Sequence, residues 1–341
     1  MDIDLTTLAK SIETLCTVEM REPGPSYNVI RRLYESGRKA QAGFPTELAI
    51  RALTSRVSEG DIVLITTGAF VPNFLPKGET DGPTGAASLA FALKVGLGAT
   101  PVILSGEACA EPIVASCQAI GLGVRSLEIA RKIPYTAAVE SFPIDDSAPD
   151  RADEILSTLE PKAIISVEAL GVNSKGVAHS STGLPAMEGR ARFEHLISAA
   201  RQADILTIGI GDNGNEIGFG LIAEEVREIK PFGRECRCPC GAGIATVNAC
   251  DILITAAVSN WGAYGLSAGL GAAVGMPHLI HDGETEIRMI DACVRGGAAD
   301  GATGLYTVSV DGIPGPIHAH LVDMLGLLVK KNTATGWHRD F

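Results

Sequence analysis

Aromatic residues are scarce in this chain, at 5% of its 341 positions, and no apolar run approaches the ~20 residues a membrane span needs. Positive charge is also short. Twenty-eight Lys and Arg against 40 Asp and Glu leave a net charge of −12, which argues against a nucleic-acid groove or an anionic membrane as partner. The amino end, Met1-Asp2-Ile3-Asp4, does not resemble a signal peptide. Eight cysteines are therefore expected to be mostly free thiols in a reducing, cytoplasmic setting. Seven histidines form no H-E-x-x-H pair, and neither a G-x-S-x-G elbow nor a Walker loop occurs. What the chain has in quantity is apolar residues, 46%, and glycine, 39 of them. That is enough for a sizeable core with many turns and close backbone approaches.

Near-continuous apolar runs alternate with amphipathic ones. Strands are expected at Asp61–Thr67, Thr100–Ser105, Gly123–Ile129, Ala137–Phe142, Ala163–Glu168, Ile205–Ile210, Ile252–Val258 and, last, Leu305–Val310. Helices are expected between them, among them Met187–Arg201, with a closing helix over Ile317–Lys330. Leu5–Cys16, Tyr27–Glu35 and Thr46–Val57, the last with Thr46 as cap, form an amino-terminal helical segment, residues 1–58, packed on the main domain. The pattern predicts an α/β fold over 59–330: a mostly parallel sheet with helices on both faces, a Rossmann-like three-layer architecture. Residues 331–341 read as a polar tail.

Ligands in such sheets sit beyond the carboxyl ends of the strands, and the unusual residues cluster there. In Ile205–Gly220, ILTIGIGDNGNEIGFG, an apolar strand runs into glycines interleaved with Asp212, Asn213, Asn215 and Glu216. Gly209–Gly214 matches G-x-G-x-x-G, but Asp212 and Glu216 would repel a pyrophosphate, so NAD is not expected. An ammonium group or a divalent cation suits them better. The alternative is a tight turn capping the next helix. In the long loop Gly68–Thr84, Glu79 and Asp81 flank Thr80 beside a glycine turn, either as a grip for a cation or ammonium or as acids that stabilise the positive end of the next helix. Glu168 ends a fully apolar strand, where it must reach solvent, pair (Lys175 is near in sequence) or act as an acid/base with a raised pKa. Ser259-Asn260 opens a helix after a strand and could receive a carboxylate or oxyanion, or be a plain cap. Cys236, Cys238 and Cys240 depart from the usual Cys-x-x-Cys spacing of zinc sites, and reduced thiols in a hairpin are expected instead.

Four blocks, GETDGPTGA (78–86), GDNGNEIGFG (211–220), AAVSNWGAYGLSAGL (256–270) and DGATGLYTVSVDGIP (300–314), resemble the D-glutamate cyclase family in its order. The resemblance is to the domain that forms the carboxyl-terminal part of the animal enzyme and also occurs alone in bacteria. It implies a lyase that cyclises D-glutamate, or a related amino-acid-like substrate, to 5-oxo-D-proline. It maps Glu79, Asp81, Glu168, Asp212, Asn215, Glu216 and Asn260 onto the family's shared polar positions. Where that family reads Glu-Arg-x-Gly, this chain has Glu168-Ala169-Leu170-Gly171, so an arginine suited to clamping a substrate carboxylate is missing there. Glu168, Asp212 and Glu216 are the expected catalytic residues. Glu79, Thr80, Asp81, Asn213, Asn215, Ser259 and Asn260 are expected to bind substrate. Asp81 and Asp212 are the expected ligands if a divalent cation, Mn²⁺ or Mg²⁺, takes part. A metal-assisted amidohydrolase acting on a lactam, and a non-catalytic amino-acid or nucleotide sensor, are the alternatives. A homo-oligomer is compatible with all three.

Overall fold

The computed structural model describes residues 3–333. Three helices come first: α1 (Leu5–Cys16), α2 (Ile30–Ala40) and α3 (Pro45–Arg56). Then follow β1 (Ile62–Thr66), α4 (Pro83–Gly96), β2 (Thr100–Ser105), α5 (Ala110–Ala119), β3 (Gly123–Val124), α6 (Leu127–Ala130), β4 (Thr136–Ser141) and α7 (Ala148–Leu159). The second half runs β5 (Ala163–Val167), α8 (Phe193–Gln202), β6 (Leu206–Gly211), α9 (Ala223–Ile229), β7 (Ile252–Thr255), α10 (Ser259–Ala273) and α11 (Gly283–Arg295). A small hairpin, β8 (Ser309–Val310) with β9 (Ile313–Pro314), leads into α12 (Gly315–Thr333).

Strands β1–β7 form one parallel sheet in the order β3-β4-β2-β1-β5-β6-β7. Register stacks Ile103, Ile65, Ile165, Ile208 and Ile252 in a row across it, all in one core with residues of α3, α4, α5, α10 and α11. The alternate residues Leu64, Val102 and Ile164 face the opposite layer, where α7 and α8 supply Ile155, Phe193 and Leu196. Burial on both faces is why the strands read as unbroken apolar runs. The architecture is the expected three-layer α/β fold. Among the described residues no helix is long and apolar enough to cross a membrane.

The amino-terminal helices share these cores. Leu8 and Ile12 of α1 pack with Trp261 and Tyr264 of α10 and Leu325 of α12, while Ile50 and Leu53 of α3 join the main sheet core. Thr46 is not the cap of α3. Its backbone N–H donates to Glu13 Oε1 at 2.8 Å, so a buried carboxylate of α1 caps that helix instead.

Other expectations give way to tertiary structure. Gly123–Ile129 is not one strand: only two residues pair with β4, and Leu127–Ala130 turns helical so that Ala130 is buried. Leu305–Val310 is not a strand of the main sheet. Asp300 accepts hydrogen bonds from the backbone N–H groups of Ala302, Thr303 and Gly312 and from the Ser309 hydroxyl, which bends the segment into turns and leaves Leu305 and Tyr306 exposed. The helix expected over Met187–Arg201 begins only at Phe193. Lys331–Thr333, placed in the tail by sequence, continue α12, and the rest of the tail lies outside the described residues.

The chain leaves β1 for β2 on one side of the sheet and leaves β5 for β6 on the other. Adjacent strands whose connections diverge open a crevice at their carboxyl ends, where α/β folds bind ligands.

Candidate active site

The loop Gly68–Gly82 leaves β1 at this crevice, and Glu168 is the residue immediately after β5. Next along the sheet, β6 delivers Asp212 and β7 leads into Ser259 at the start of α10. One carboxylate oxygen each from Asp81, Asp212 and Asp311 lie within 4.8 Å of one another, and the same holds for Glu168, Asp212 and Glu216. Asp212 belongs to both groups, so acids far apart in sequence converge on it. Shallow surface clefts lined by Glu160, Lys162, Asp204 and Ile205 lie at the opposite, amino-terminal rim of the strands, away from this chemistry.

Two helix starts lock into each other. The backbone N–H groups of Ser259 and Asn260 donate to Asp81 at 2.9 and 2.8 Å, so Asp81 satisfies the N-terminus of α10. In return, Asn260 Oδ1 accepts from the N–H groups of Gly82 and Gly85 at 2.9 and 2.8 Å, and its amide donates to the Thr80 carbonyl. Gly82 has φ +101°, and a Cβ there would meet Thr67 Oγ1 at 2.5 Å. Only glycine lets the loop turn this tightly into α4. The Thr80 hydroxyl donates to the Ser309 carbonyl at 2.8 Å. Glu79 packs its carboxyl against Gly301 beside Asp311.

Glu168 sits in the left-handed region at φ +47° and is buried. A non-glycine residue held there is a strained position of the sort that clusters at functional sites. Its carboxylate accepts a hydrogen bond from the Ser259 hydroxyl, and Lys175 is exposed rather than its partner. Glu216 accepts from the N–H groups of Asn213 and Gly214 at 2.9 and 2.8 Å and of Asp212 at 3.4 Å. A side chain of the protein thus takes the amides that a phosphate would take in a dinucleotide loop, and α9 starts well beyond the turn. Asn215 turns away: its amide donates to the His179 carbonyl at 2.8 Å, and its buried Oδ1 has no partner among the described residues.

Sequence reasoning passed over Arg21, Ser26, Lys230 and Asp311. The Arg21 guanidinium forms an ion pair with Asp212, reaches Asp311 at 3.3 Å and donates to the Ala257 carbonyl at 2.8 Å. Lys230 Nζ donates to Asn213 Oδ1 at 2.9 Å and to Ser26 at 3.3 Å. Asp311 lay inside the fourth sequence block, whereas Arg21 and Lys230 sit in stretches with no motif around them.

Crowding acids in a buried crevice raises their pKa values. Burial comes first for Glu168, then repulsion from Asp212, Glu216 and Asp81, and its carboxyl stands well above the ordinary range. Glu79 and Asp81 are raised likewise, by burial and then by Asp311. Asp212 is pushed up to about 7 by burial, with Arg21 pulling down and Glu216 pushing up. Asp311 also rises to about 7, through burial and then Asp212. Burial and the neighbouring Arg21 bring Lys230 down to about 8. Groups poised near neutrality beside groups that stay protonated are what acid/base chemistry requires.

A model of the D-glutamate cyclase-like C-terminal family matches residues 30–326. Among curated proteins, the human protein named D-glutamate cyclase, mitochondrial, is 26% identical over 314 residues, covering 82% of this chain and 47% of its own. The chain therefore spans about half the length of that relative. With the match extending from α2 through most of α12, across every strand that feeds the crevice, the chain belongs to the D-glutamate cyclase-like family in its carboxyl-terminal form.

Proposed function

We propose that the protein is a lyase that cyclises D-glutamate, or a related amino acid, to 5-oxo-D-proline with loss of water. The observation that carries the reading is the convergence of Asp81, Glu168 and Asp212 at the switch point of a sheet from this family. Cyclisation forms a bond from the substrate nitrogen to its δ-carbon and breaks a carbon–oxygen bond there. Over the whole reaction two protons pass from nitrogen to the departing oxygen. Asp212, near neutrality, takes a proton from the ammonium group. Glu168, protonated by its surroundings, gives one to the leaving oxygen and regains it from the second proton that nitrogen loses, while the proton on Asp212 passes to the same oxygen to complete the departing water. Glu79, Asp81 and Asp311 surround the ammonium, while Lys230, with two of its three donors in use, meets a substrate carboxylate.

As an alternative to holding the ammonium, acidic oxygens from Asp81, Asp212 and Asp311 fit a hard divalent cation such as Mn²⁺ or Mg²⁺, since acids outnumber the cationic groups Arg21 and Lys230 there. A bound cation would neutralise the substrate carboxylate and polarise its carbon–oxygen bond.

The substrate is a small amino-acid-like molecule, and the setting we propose is cytoplasmic. None of the eight cysteines is in a disulfide, as a reducing compartment would keep them. The test is incubation of purified protein with D-glutamate, with and without Mn²⁺ or Mg²⁺, followed by chiral detection of 5-oxo-D-proline. Absence of product under every metal condition removes D-glutamate as substrate. A second reading, opening of a lactam ring, draws support from Arg21: two acids hold it, and the arginine expected after Glu168 is absent. Ring opening of supplied lactams without cyclisation of D-glutamate favours that direction.

A further inference from the structure

Between β5 and α8, and again between α9 and β7, the chain runs through long stretches with no regular helix or strand. Residues 236–240 are turns and bends rather than the hairpin expected from sequence. His179, from the first stretch, meets Cys236, Cys238 and Cys240, from the second, with all four ligand atoms within 4.8 Å of one another. Cys236 Sγ lies 3.6 Å from Cys238 Sγ and 3.3 Å from Cys240 Sγ. His179 Nε2 lies 3.2 Å from Cys238 Sγ and 3.7 Å from Cys240 Sγ. We infer that His179, Cys236, Cys238 and Cys240 bind a structural zinc ion that staples the two irregular segments together.

The geometry supports this independently of the reaction proposed above. Zinc–sulfur bonds of about 2.3 Å and zinc–nitrogen bonds of about 2.0 Å at tetrahedral angles place sulfurs roughly 3.8 Å apart and nitrogen roughly 3.6 Å from sulfur. The four distances above stand within about half an ångström of that arrangement, and the remaining two are under 4.8 Å. No disulfide links them. His179 Nδ1 faces the Val177 carbonyl at 3.1 Å, and a carbonyl can only accept. The proton is therefore on Nδ1, and the Nε2 lone pair faces the sulfurs, the orientation that ligating histidines adopt. The Asn173 amide donates to Cys240 Sγ at 3.4 Å, a contact that favours thiolate. Four protein ligands leave no open position, which marks a structural site rather than a catalytic one. Such a site would join two long irregular loops of a kind uncommon in compact domains. The fastening also reaches the acidic crevice, because the His179 carbonyl holds Asn215 in the Asp212–Glu216 loop.

The test is metal content of the full chain, purified without chelator and again after reconstitution with zinc. Stoichiometric zinc is expected in the wild type and in Cys117→Ser, whose buried thiol lies in another core. A loss to background is expected in Cys236→Ser, Cys238→Ser and Cys240→Ser. Should the serine variants fail to fold, cobalt substitution of the wild type decides, through strong thiolate-to-cobalt charge-transfer absorption with tetrahedral ligand-field bands. Wild-type protein that takes up no zinc and gives no such cobalt spectrum overturns the inference. So does a Cys236–Cys240 disulfide that forms when zinc-loaded protein is exposed to dissolved oxygen, which is reduced to hydrogen peroxide as it accepts the two electrons.

Discussion

Glu168→Gln offers a direct probe of the charge crowding in the crevice. Gln keeps the shape and still accepts the hydrogen bond from Ser259, while its amide faces the oxygens of Asp212 and Glu216 favourably. In the wild type, two full charges within 4.8 Å repel by roughly 3.5 kcal/mol at an effective dielectric constant near 20. Holding a proton on Glu168 relieves part of that. We therefore expect the variant to be more stable than wild type by about 1–3 kcal/mol at pH 8. The sign follows from proton binding. Glu168 has a higher pKa folded than unfolded, so between the two values the folded state binds more protons, and wild-type stability falls as pH rises from the ordinary carboxylate range. The advantage of the variant should vanish near pH 4. Urea unfolding across that pH range, without added divalent cations, measures it, and D-glutamate turnover should be lost in parallel. A variant less stable than wild type at pH 8, or one whose profile runs parallel to it, would refute the claim that Glu168 is held against its neighbours' charge.

Arg21→Met removes the guanidinium that Asp212 and Asp311 share. Stability should drop by about 3 kcal/mol at pH 8 but much less at pH 5, where both acids can take up protons, as thermal unfolding at the two pH values will show. Asp81→Ala strips the acceptor from the first turn of α10 and should cost about 2 kcal/mol in urea unfolding, together with activity. Gly209→Ala would place a Cβ 2.5 Å from the Ile217 carbonyl and 2.6 Å from the Gly218 Cα, both backbone atoms. A loss of roughly 3 kcal/mol, or failure to accumulate folded protein, is expected. If Asp212 is the base, kcat/KM should rise with pH to a half-maximum near 7, and a profile flat from pH 5 to 9 would assign that role elsewhere.

Apolar content, periodicity and glycine placement were enough to place the central strands of the sheet, though not its edge strand β3 or the Leu305–Val310 segment. A strand buried on both faces must be largely apolar, which made β2 legible to the residue, and the one-sided apolar stripe of α1 did the same for that helix. Glu168 and Asp212 stood out because carboxylates at the ends of apolar strands demand an explanation, and Asp81 because two acids flank Thr80 beside a glycine turn in a long loop. Tertiary structure alone decided what each acid touches. Asp81 caps a helix that begins almost two hundred residues later, as only the packing of α4 against α10 can arrange. Arg21 has no local motif and gains its meaning from two acids in distant turns. The three cysteines, spaced wrongly for a familiar zinc motif, become a four-ligand cage only when His179 arrives from another loop. Local pattern encodes which surfaces are buried, because burial repeats along the chain. Which polar groups meet depends on distances in space, and those exist only once the chain has folded.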